Sequence, residues 1–329
     1  MRDEQKRANN LPKVSVIILN WNGRKYIKSC LGSLLETKYP ILELIVVDNA
    51  STDRSQEIVE REYPQVILIK NRKNLGFCMG NNVGIRKATG DLIILLNNDT
   101  IVDKNWVIEI LKEANDPKVG VIGCKLLFPS GKIMQSWGCK EKFLGYWERI
   151  GAGCAIAEHS DESGREVDYV SGAALAIKRE VIEKVGLLDP RFYAYAEEVD
   201  WCYRAKKAGY KVVVSNAVVY HYGSASWRRF PLKQFYLTYR NKVLFISKNY
   251  PKTALLKYFL EYPIRFTAET LRSFLEGETT TQRISSKTGY NHTLRRLFKQ
   301  YMFNMLFFYL SLIPGLKLTL SLSGDRDRS

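Results

Sequence analysis

The 329-residue sequence lacks the cysteine and histidine patterns of disulfide-rich and zinc-binding proteins. Its six cysteines are scattered and include no C-x-x-C pair, which is typical of reduced, mostly buried cysteines in a cytosolic protein. The three histidines do not have the spacing of zinc ligands. The N-terminal stretch MRDEQKRANN is polar and charged, so we expect no signal peptide and a cytoplasmic location.

Two common phosphate-binding motifs are also missing. PSGK at 129–132 lacks the upstream glycine that a P-loop requires, and no G-x-G-x-x-G follows the first apolar run. GAGCAI at 151–156 follows an aromatic stretch and lacks the third glycine. These absences argue against P-loop nucleotide hydrolases and against dehydrogenases that use a dinucleotide-binding motif.

Acidic residues are scarce relative to basic ones, 34 against 50, which gives a formal net charge of +16. Much of the imbalance lies in residues 227–329, which contain 18 basic and 6 acidic residues. A localised positive charge of this kind points to a polyanionic partner, either nucleic acid or an anionic membrane surface.

From residue 14 onward, apolar strand patterns alternate with helical patterns. The predicted strands cover residues 14–19, 42–47, 65–70 and 91–96. The predicted helices cover residues 24–38, 51–63 and 80–89, with Ser51 as a helix cap. This order predicts an α/β fold with a mostly parallel sheet that has helices on both faces.

After residue 115 the alternation is weaker. Residues 119–128, 166–179 and 211–221 are predicted to be strands of a mixed extension of the sheet, and 196–209 a helix that ends at Gly209. The glycine-rich segment 138–165 is predicted to be an irregular, mobile loop over a site.

Each of the first four predicted strands ends in polar side chains. The strands are followed in turn by Asn20 and Asn22, by Asp48 and Asn49, by Asn71 and Asn74, and by Asn97, Asn98 and Asp99. A single polar end is ordinary turn chemistry, because Asn and Asp favour turns. Four such ends along one edge predict a ligand site, since ligands of these sheets bind beyond the carboxyl ends of the strands.

Seven ordered motifs carry a resemblance to a known family. They are VSVIILNWNG, LIVVDNASTD, NLGFCMGNNVGI, GDLIILLNNDT, VSGAALAIKRE, AEEVDWCYRAKKAGY and HYGSAS. In this order and approximate spacing, residues 14–226 resemble family-2 glycosyltransferases of the GT-A fold, and in particular their rhamnosyltransferase-like branch. The resemblance implies a GT-A catalytic domain at 14–226, preceded by a polar tail at 1–13 and followed by a basic helical region at 227–329.

The resemblance also implies which residues bind the nucleotide-sugar donor: Asn20, Trp21, Asp48, Asn49, Gly76, Gly80, Asn81, Asn82, Asn97 and Asn98. Asp48 matches the acid that binds the nucleobase, and its alternative role is an Asx-turn with Asn49. The glycines match a stretch near the ribose and diphosphate, where they let backbone N–H groups approach phosphate oxygens. Their alternative role is helix capping.

Asn97-Asn98-Asp99 matches the metal-binding D-x-D motif of the family, with an amide where the first aspartate would be. The resemblance implies that Asp99 binds Mg²⁺ or Mn²⁺, which bridges the donor diphosphate. His221 matches a further metal ligand of some relatives, and the alternative is a buried histidine of the core. Asp103 is predicted to cap a helix.

The stretch YAEEVDW implies the general base. Glu198 stands where relatives have an aspartate that deprotonates the acceptor hydroxyl, with Glu197, Asp200, Trp201 and Arg204 around the acceptor. The alternatives are that Glu198 is a helix-start acid favoured by the dipole and that Asp200 pairs with Arg204 on one helix face. The implied reaction is a single inverting displacement on a dTDP-rhamnose, UDP-sugar or GDP-sugar donor.

The basic region is rich in aromatic residues and includes QYMFNMLFFYLSLIPGL at 300–316. This stretch is shorter than a membrane-spanning helix, so we expect an interfacial helix at the inner face of the membrane and a lipid-linked or glycan acceptor. The alternative is a basic helical bundle that packs on the catalytic domain or on a second subunit of a homodimer.

Two other function classes share features with this sequence. A sugar-nucleotidyltransferase also uses a Rossmann-like sheet, but it opens with a glycine-rich phosphate loop, and LNWNGRK has a single glycine. A non-catalytic nucleic-acid-binding protein would carry cations at the site edge, whereas this edge is acidic and amide-rich. We therefore favour the glycosyltransferase, in cell-surface glycan synthesis and without a nucleic-acid partner.

Overall fold

The computed structural model describes residues 11–40, 42–156, 163–223 and 231–275. The strands are β1 (Val14–Asn20), β2 (Leu42–Asp48), β3 (Ile67–Lys70), β4 (Leu92–Asn97), β5 (Thr100–Val102), β6 (Val119–Leu127), β7 (Met134–Ser136), β8 (Cys139–Phe143), β9 (Tyr146–Arg149), β10 (Ala174–Lys178) and β11 (Lys211–His221). The helices are α1 (Ile27–Leu35), α2 (Ser55–Glu62), α3 (Gly76–Lys87), α4 (Trp106–Ala114), α5 (Arg179–Val185), α6 (Glu197–Lys207), α7 (Pro231–Asn249) and α8 (Lys252–Leu275).

The described residues form one nine-stranded mixed sheet in the order β3-β2-β1-β4-β10-β6-β11-β5, with β7 paired to β6. The first four strands of this order are parallel, whereas β10 runs antiparallel to both of its neighbours. In the register, Asn20 lies opposite Asp48, and Leu19 lies opposite Asn97. The polar ends of three strands therefore meet at one edge, and the predicted α/β class with a mixed extension is confirmed.

The apolar runs of the strands reflect burial on both faces of the sheet. Along β1, Ile17 packs into one hydrophobic cluster with side chains of α3, α5 and α6, while Val16 and Ile18 pack into the other with α1, α2 and α4. Alternate residues of a strand point to opposite faces, so a strand covered on both sides needs apolar residues at every position. This explains why the residues of β4 before Asn97 are all apolar.

Helices α7 and α8 share the first of these clusters. Tyr239, Phe245, Tyr258 and Tyr262 are fully or almost fully buried in it together with sheet residues. Within the described ranges, no helix combines the length and the apolar character needed to cross a bilayer. Residues 224–226 of HYGSAS and the stretch 300–316 lie outside the described residues, and the domain boundary at 226 stays a prediction.

Two local predictions are wrong. Ser51 does not cap a helix: its Oγ accepts from the Asn22 backbone N–H at 2.9 Å and from Asn20 Nδ2 at 3.2 Å, residues 52–54 form a bend, and α2 begins at Ser55. The segment 138–165 is not irregular throughout, because β8 and β9 form a hairpin. Phe143 and Tyr146 stack at 4.8 Å between ring centroids, and both rings contact aromatic side chains of α8.

Candidate active site

A pocket of about 260 Å³ opens at the polar edge of the sheet. It brings together nine of the predicted site residues: Trp21, Asn49, Gly76, Asn97, Asn98, Asp99, Glu197, Glu198 and His221. Asn74, from the polar end of the third strand, lines it as well. These residues are contributed by the ends of β1, β2, β4 and β11 and by the first turns of α3 and α6. Residues more than 200 positions apart in the chain therefore line one cavity.

Asn20 and Asp48, the last residues of β1 and β2, form a buried hydrogen-bonded floor that meets the pocket lining at Asn98 and does not itself line the pocket. Asn20, which is fully buried, donates from Nδ2 to Asp48 Oδ1 at 2.9 Å and to Ser55 Oγ at 2.7 Å, and its Oδ1 accepts from Asn98 Nδ2 at 2.8 Å. Gly23 lies against this network, because an added Cβ would come within 2.1 Å of Asn98 Nδ2. The floor is therefore rigid, and Asp48 has little accessible surface.

Asn49 fixes the start of α3 at the pocket. Its Oδ1 accepts the backbone N–H of Leu75 at 3.0 Å, and its Nδ2 donates to Asn74 Oδ1 at 2.9 Å. The helix begins at Gly76 with φ +79°, a conformation that favours glycine. A Cβ at this position would also come within 2.5 Å of the Tyr193 ring. Both the backbone angle and the ring explain why glycine occupies this position.

Asp99 and His221 face each other at one end of the pocket. The distance from His221 Nε2 to Asp99 Oδ1 is 3.3 Å, and both side chains are nearly buried. Gln135 Oε1 lies 2.6 Å from His221 Nδ1, while Gln135 Nε2 donates to the His221 carbonyl. The glutamine therefore accepts the Nδ1 proton, so the Nε2 lone pair of the neutral ring points toward Asp99 and Asn97.

This donor set fits a divalent cation. A carboxylate oxygen and an imidazole lone pair at 3.3 Å repel one another unless a proton or a cation lies between them. Among the described residues no cluster of three or more His, Cys, Asp or Glu side chains could hold a metal. A cation here would therefore take most of its ligands from a bound substrate, as Mg²⁺ does with phosphates.

Glu197 and Glu198 begin α6 and bring two carboxyl groups into the pocket. One buried oxygen of each, Oε2, has no hydrogen-bond partner among the described residues. Burial raises the pKa of Glu197 well above its ordinary value, and the charge of Glu198 raises it further. Burial also raises the pKa of Glu198, against the lowering effects of its backbone hydrogen bond and of Arg149.

Five predicted donor-binding residues do not line the pocket: Asn20 and Asp48 of the floor, and Gly80, Asn81 and Asn82 of α3. Asn82 is buried and exchanges two hydrogen bonds with the backbone of Leu188, at 2.8 and 3.1 Å, and Asn81 donates to the Phe77 carbonyl. At Gly80 an added Cβ would come within 2.4 Å of the Leu19 side chain. These three residues hold α3 against the rest of the fold, so the geometry gives their predicted donor contacts no direct support.

The residues after Glu198 lie outside the pocket as well. Asp200 is fully buried and accepts from Arg204 Nε and Lys248 Nζ, each at 2.8 Å. Trp201 donates from its indole to the Gly186 carbonyl at 2.8 Å. The ion pair of the alternative interpretation is thus present, and neither Asp200, Trp201 nor Arg204 reaches the cavity.

Four other ionisable side chains line the pocket but were not predicted as site residues: Arg149, Tyr193, Tyr195 and Lys233. Tyr195 is the first residue of YAEEVDW and Tyr193 lies two positions before it, so their nearness to Glu198 in the chain is the one signal that marks them. Arg149 comes from the β8–β9 hairpin and Lys233 from the first turn of α7, and no motif marks either. Gln135, which orients His221, was likewise missed.

The sequence and the fold both match known glycosyltransferases. The family described as Glycosyl transferase family 2 matches residues 15–186. The O-antigen biosynthesis protein RfbC of Myxococcus xanthus is 29% identical over 240 residues, which cover 69% of this chain and 19% of that protein. The chain also matches 25% of the length of the uncharacterized protein y4gI of Sinorhizobium fredii, so it spans a quarter or less of these two relatives.

Other relatives are of similar length. The N-acetylglucosaminyl-diphospho-decaprenol L-rhamnosyltransferase of Mycobacterium tuberculosis is 27% identical over 256 residues, covering 70% of this chain and 83% of that protein. The solved mannosyltransferase PcManGT from Pyrobaculum calidifontis, in complex with GDP-Man and Mn²⁺, has a TM-score of 0.57 and 17% identity and covers 94% of this chain and 91% of its own. The GT-A fold is confirmed, and the chain belongs to glycosyl transferase family 2.

Proposed function

We propose that this protein is an inverting glycosyltransferase that moves a sugar from a nucleotide-diphosphate donor to a hydroxyl group of a lipid-linked or polysaccharide acceptor in cell-surface glycan synthesis. The observation that carries the proposal is the shared pocket of the Asp99–His221 pair and the unpartnered Glu198 oxygen. A displacement at the anomeric carbon needs a base for the acceptor and a site for the leaving diphosphate. One cavity supplies candidates for both.

The donor end of the pocket is the polar edge of the sheet. We place the nucleobase and ribose against Trp21 and Asn49, over the floor that Asn20 and Asp48 form. Asp99 and His221 would hold Mg²⁺ or Mn²⁺ beside the donor diphosphate, where the cation when bound neutralises charge on the leaving group. The presence of GDP-Man and Mn²⁺ in the solved mannosyltransferase supports this assignment.

Glu198 is the proposed base. Its Oε2 accepts the proton of the acceptor hydroxyl, whose oxygen then attacks the anomeric carbon from the face opposite the diphosphate. Because burial raises the pKa of this carboxyl, the proton is taken up more readily near neutral pH than by an exposed glutamate. In this proposal the acceptor oxygen is the nucleophile and no carboxylate of the protein attacks the sugar. The reaction is then a single displacement, which inverts the configuration of the anomeric carbon.

Two cations of the pocket are proposed to hold the acceptor. Arg149 and Lys233 line the same cavity as Glu198, and neither forms an ion pair with a carboxylate in the described ranges. An acceptor with a phosphate or diphosphate next to its sugar would satisfy both charges. The name of the Mycobacterium tuberculosis relative, N-acetylglucosaminyl-diphospho-decaprenol L-rhamnosyltransferase, contains a lipid-linked diphosphate of this kind. This supports a lipid-linked acceptor for the present protein.

The acceptor would bring the protein to the inner face of the membrane. On α8 the side chains of Leu256, Leu260 and Ile264 form one stripe and are 62%, 63% and 71% exposed. Lys252 and Lys257 lie on either side of this stripe, so it combines apolar and basic groups in the way that anionic lipid surfaces attract. Co-sedimentation with anionic liposomes should weaken when Leu256 and Leu260 are both changed to glutamate.

A panel of dTDP-rhamnose, UDP-sugars and GDP-mannose, each with and without Mn²⁺, tests the donor site by thermal shift. A ligand that binds the native state raises its melting temperature, and Asp99→Ala should remove the metal-dependent part of that rise. Glu198→Gln should keep the donor shift and lose about 10²–10⁴-fold in sugar transfer or donor hydrolysis. Parental rates for Glu198→Gln would show that the base is assigned wrongly.

A further inference from the structure

The backbone that leads into α6 has an unusual conformation. Tyr193, Tyr195 and Ala196 have φ angles of 63°, 75° and 62°, although none of them is glycine. At Tyr193, with ψ −60°, the Ala194 N–H donates back to the Phe192 carbonyl at 2.7 Å, which is a strained γ-turn. Such a run persists only where surrounding contacts hold it, and strain of this kind clusters at functional sites.

The contacts that hold this turn come largely from one residue of α7. Asn241 is fully buried, and its Nδ2 lies within hydrogen-bond distance of three carbonyl oxygens, those of Phe192, Ala194 and Tyr195, at 2.8, 2.8 and 2.7 Å. The remaining carbonyl, of Tyr193, accepts from the first turn of α3. Every carbonyl from 192 to 195 is therefore engaged from outside the segment.

Arg240 determines which way the Asn241 amide faces. Its guanidinium donates to Asn241 Oδ1, with Nε at 2.8 Å and Nη2 at 2.6 Å. The same Nη2 also donates to the carbonyls of Arg191 and Phe192. Because the arginine occupies the acceptor side of the amide, the donor side must face the turn. The two residues therefore act as one clamp on the backbone.

The same helix also holds α6 on the other side of Glu198. Lys248 Nζ and Asn249 Nδ2 donate to the buried carboxylate of Asp200 at 2.8 and 2.9 Å. Glu198 thus lies between two segments that α7 holds by hydrogen bonds, the turn at residues 192–195 before it and Asp200 after it. Neither Asn241 nor Arg240 lines the pocket, and both follow the residues matched by the family.

We infer that Asn241, oriented by Arg240, is a positioning residue: it fixes the strained turn at 192–195 and thereby places the Glu198 carboxylate in the pocket. The inference rests on the proposed role of Glu198 as the base. The turn meets the donor end at the start of α3, where the Tyr193 carbonyl accepts from Phe77 and Cys78. The side chains of Asp99, His221 and Asn20, in contrast, have their hydrogen-bond partners outside α7 in the described part of the chain. The clamp should therefore affect mainly the rate of the chemical step and leave donor affinity nearly unchanged.

The test measures donor hydrolysis, in which water replaces the acceptor hydroxyl, for Asn241→Ala and Arg240→Gln. The donor is the nucleotide-sugar that the thermal-shift panel selects. We expect kcat to fall by about 10²-fold for Asn241→Ala, since misplacement of a reacting group by about 1 Å has this effect. Because removal of a fully buried asparagine can destabilise the fold, Arg240→Gln, which leaves Asn241 in place, should show a smaller loss with the same unchanged donor KM.

Thr238→Ala is the matched control, since it removes a hydrogen bond within α7, to the Gln234 carbonyl, that does not involve the turn. It should retain parental kcat.

A double-mutant cycle with Glu198→Gln then separates positioning of the base from general damage to the fold, because a residue that acts through Glu198 has no further effect on kcat once that base is gone. Equal fold-losses in both backgrounds, or parental kcat for a folded Asn241→Ala, would overturn the inference. If Glu198→Gln alone hydrolyses donor at the parental rate, the proposed base is refuted instead, and the inference falls with it.

Discussion

Replacing Glu197 by glutamine should stabilise the protein, and the gain should grow with pH. Glu197 is 5% exposed, and its buried Oε2 has no hydrogen-bond partner among the described residues. Burial and the neighbouring Glu198 charge raise its pKa well above the ordinary 4.5. The folded state therefore prefers the protonated acid, which glutamine imitates in shape and in neutrality.

The size of the effect follows from the unpartnered oxygen. A buried charged acceptor without a partner costs about 1–3 kcal/mol or more, so glutamine should recover an amount of this order above the raised pKa. The direction of the pH dependence follows from the raised pKa. A carboxyl whose pKa is higher in the folded state than in the unfolded state contributes its full stabilisation of the fold below the unfolded-state pKa. That contribution is lost as the pH rises through the folded-state pKa. The variant and the parent should therefore have similar melting temperatures near about pH 4.5, and the variant should have the higher melting temperature as the pH rises.

Differential scanning calorimetry across this range measures the divergence, with about 2–4 °C expected for each kcal/mol in a domain of this size. Glu183→Gln, an exposed glutamate on α5, is the control and should show no pH-dependent gain. If Glu197→Gln is less stable than the parent at neutral pH, the carboxylate has a compensating partner and the reasoning about its burial is refuted.

Three further changes test other contacts. Gly76→Ala should destabilise the fold by more than 1 kcal/mol in urea unfolding, because alanine is strained at φ +79° and its Cβ would meet the Tyr193 ring. Asp200→Ala should cost about 3–5 kcal/mol in the same assay, since it leaves Arg204 without its carboxylate partner and Lys248 with Asp189 alone. Gln135→Leu frees the His221 ring to rotate and should weaken Mn²⁺ affinity by about 10–100-fold in a metal titration. Parental stability or parental metal affinity in these variants would contradict the corresponding contact.

The sequence predicted the parts of the fold that follow from local chemistry. A strand such as β4 is buried on both faces, so its composition alone marks it, and the polar residues after it meet those of β1 and β2 because parallel strands share a direction. Asp99 was found in this way, whereas Glu197 and Glu198 were implied by the family resemblance, and the structure brings all three to one pocket. Their chemical roles stay predictions.

The features that the sequence missed depend on contacts between distant residues. The β8 strand has a mixed, partly charged sequence, CKEKF, and it becomes a strand through its pairing with β9 and through aromatic contacts to α8. Ser51 has the chemistry of a helix cap, but its hydroxyl oxygen accepts hydrogen bonds from Asn20 and Asn22 of the β1 end, and the helix starts four residues later. Asp200 looks like part of the active site because it lies two residues after Glu198, yet its carboxylate is already paired with cations from α6 and α7.

The two ends of the pocket are built by different physical means. The donor end rests on side chains at strand ends that hydrogen-bond to one another within the sheet, as Asn20 does to Asp48 and Asn98. The base end rests on a strained turn whose carbonyls are held by a helix outside the matched family domain. Because strain relaxes when its support is removed, the base end depends on α7 for its geometry, whereas the strand-end side chains of the donor end are held by hydrogen bonds to one another. Changes in α7 can therefore alter catalysis without altering donor recognition.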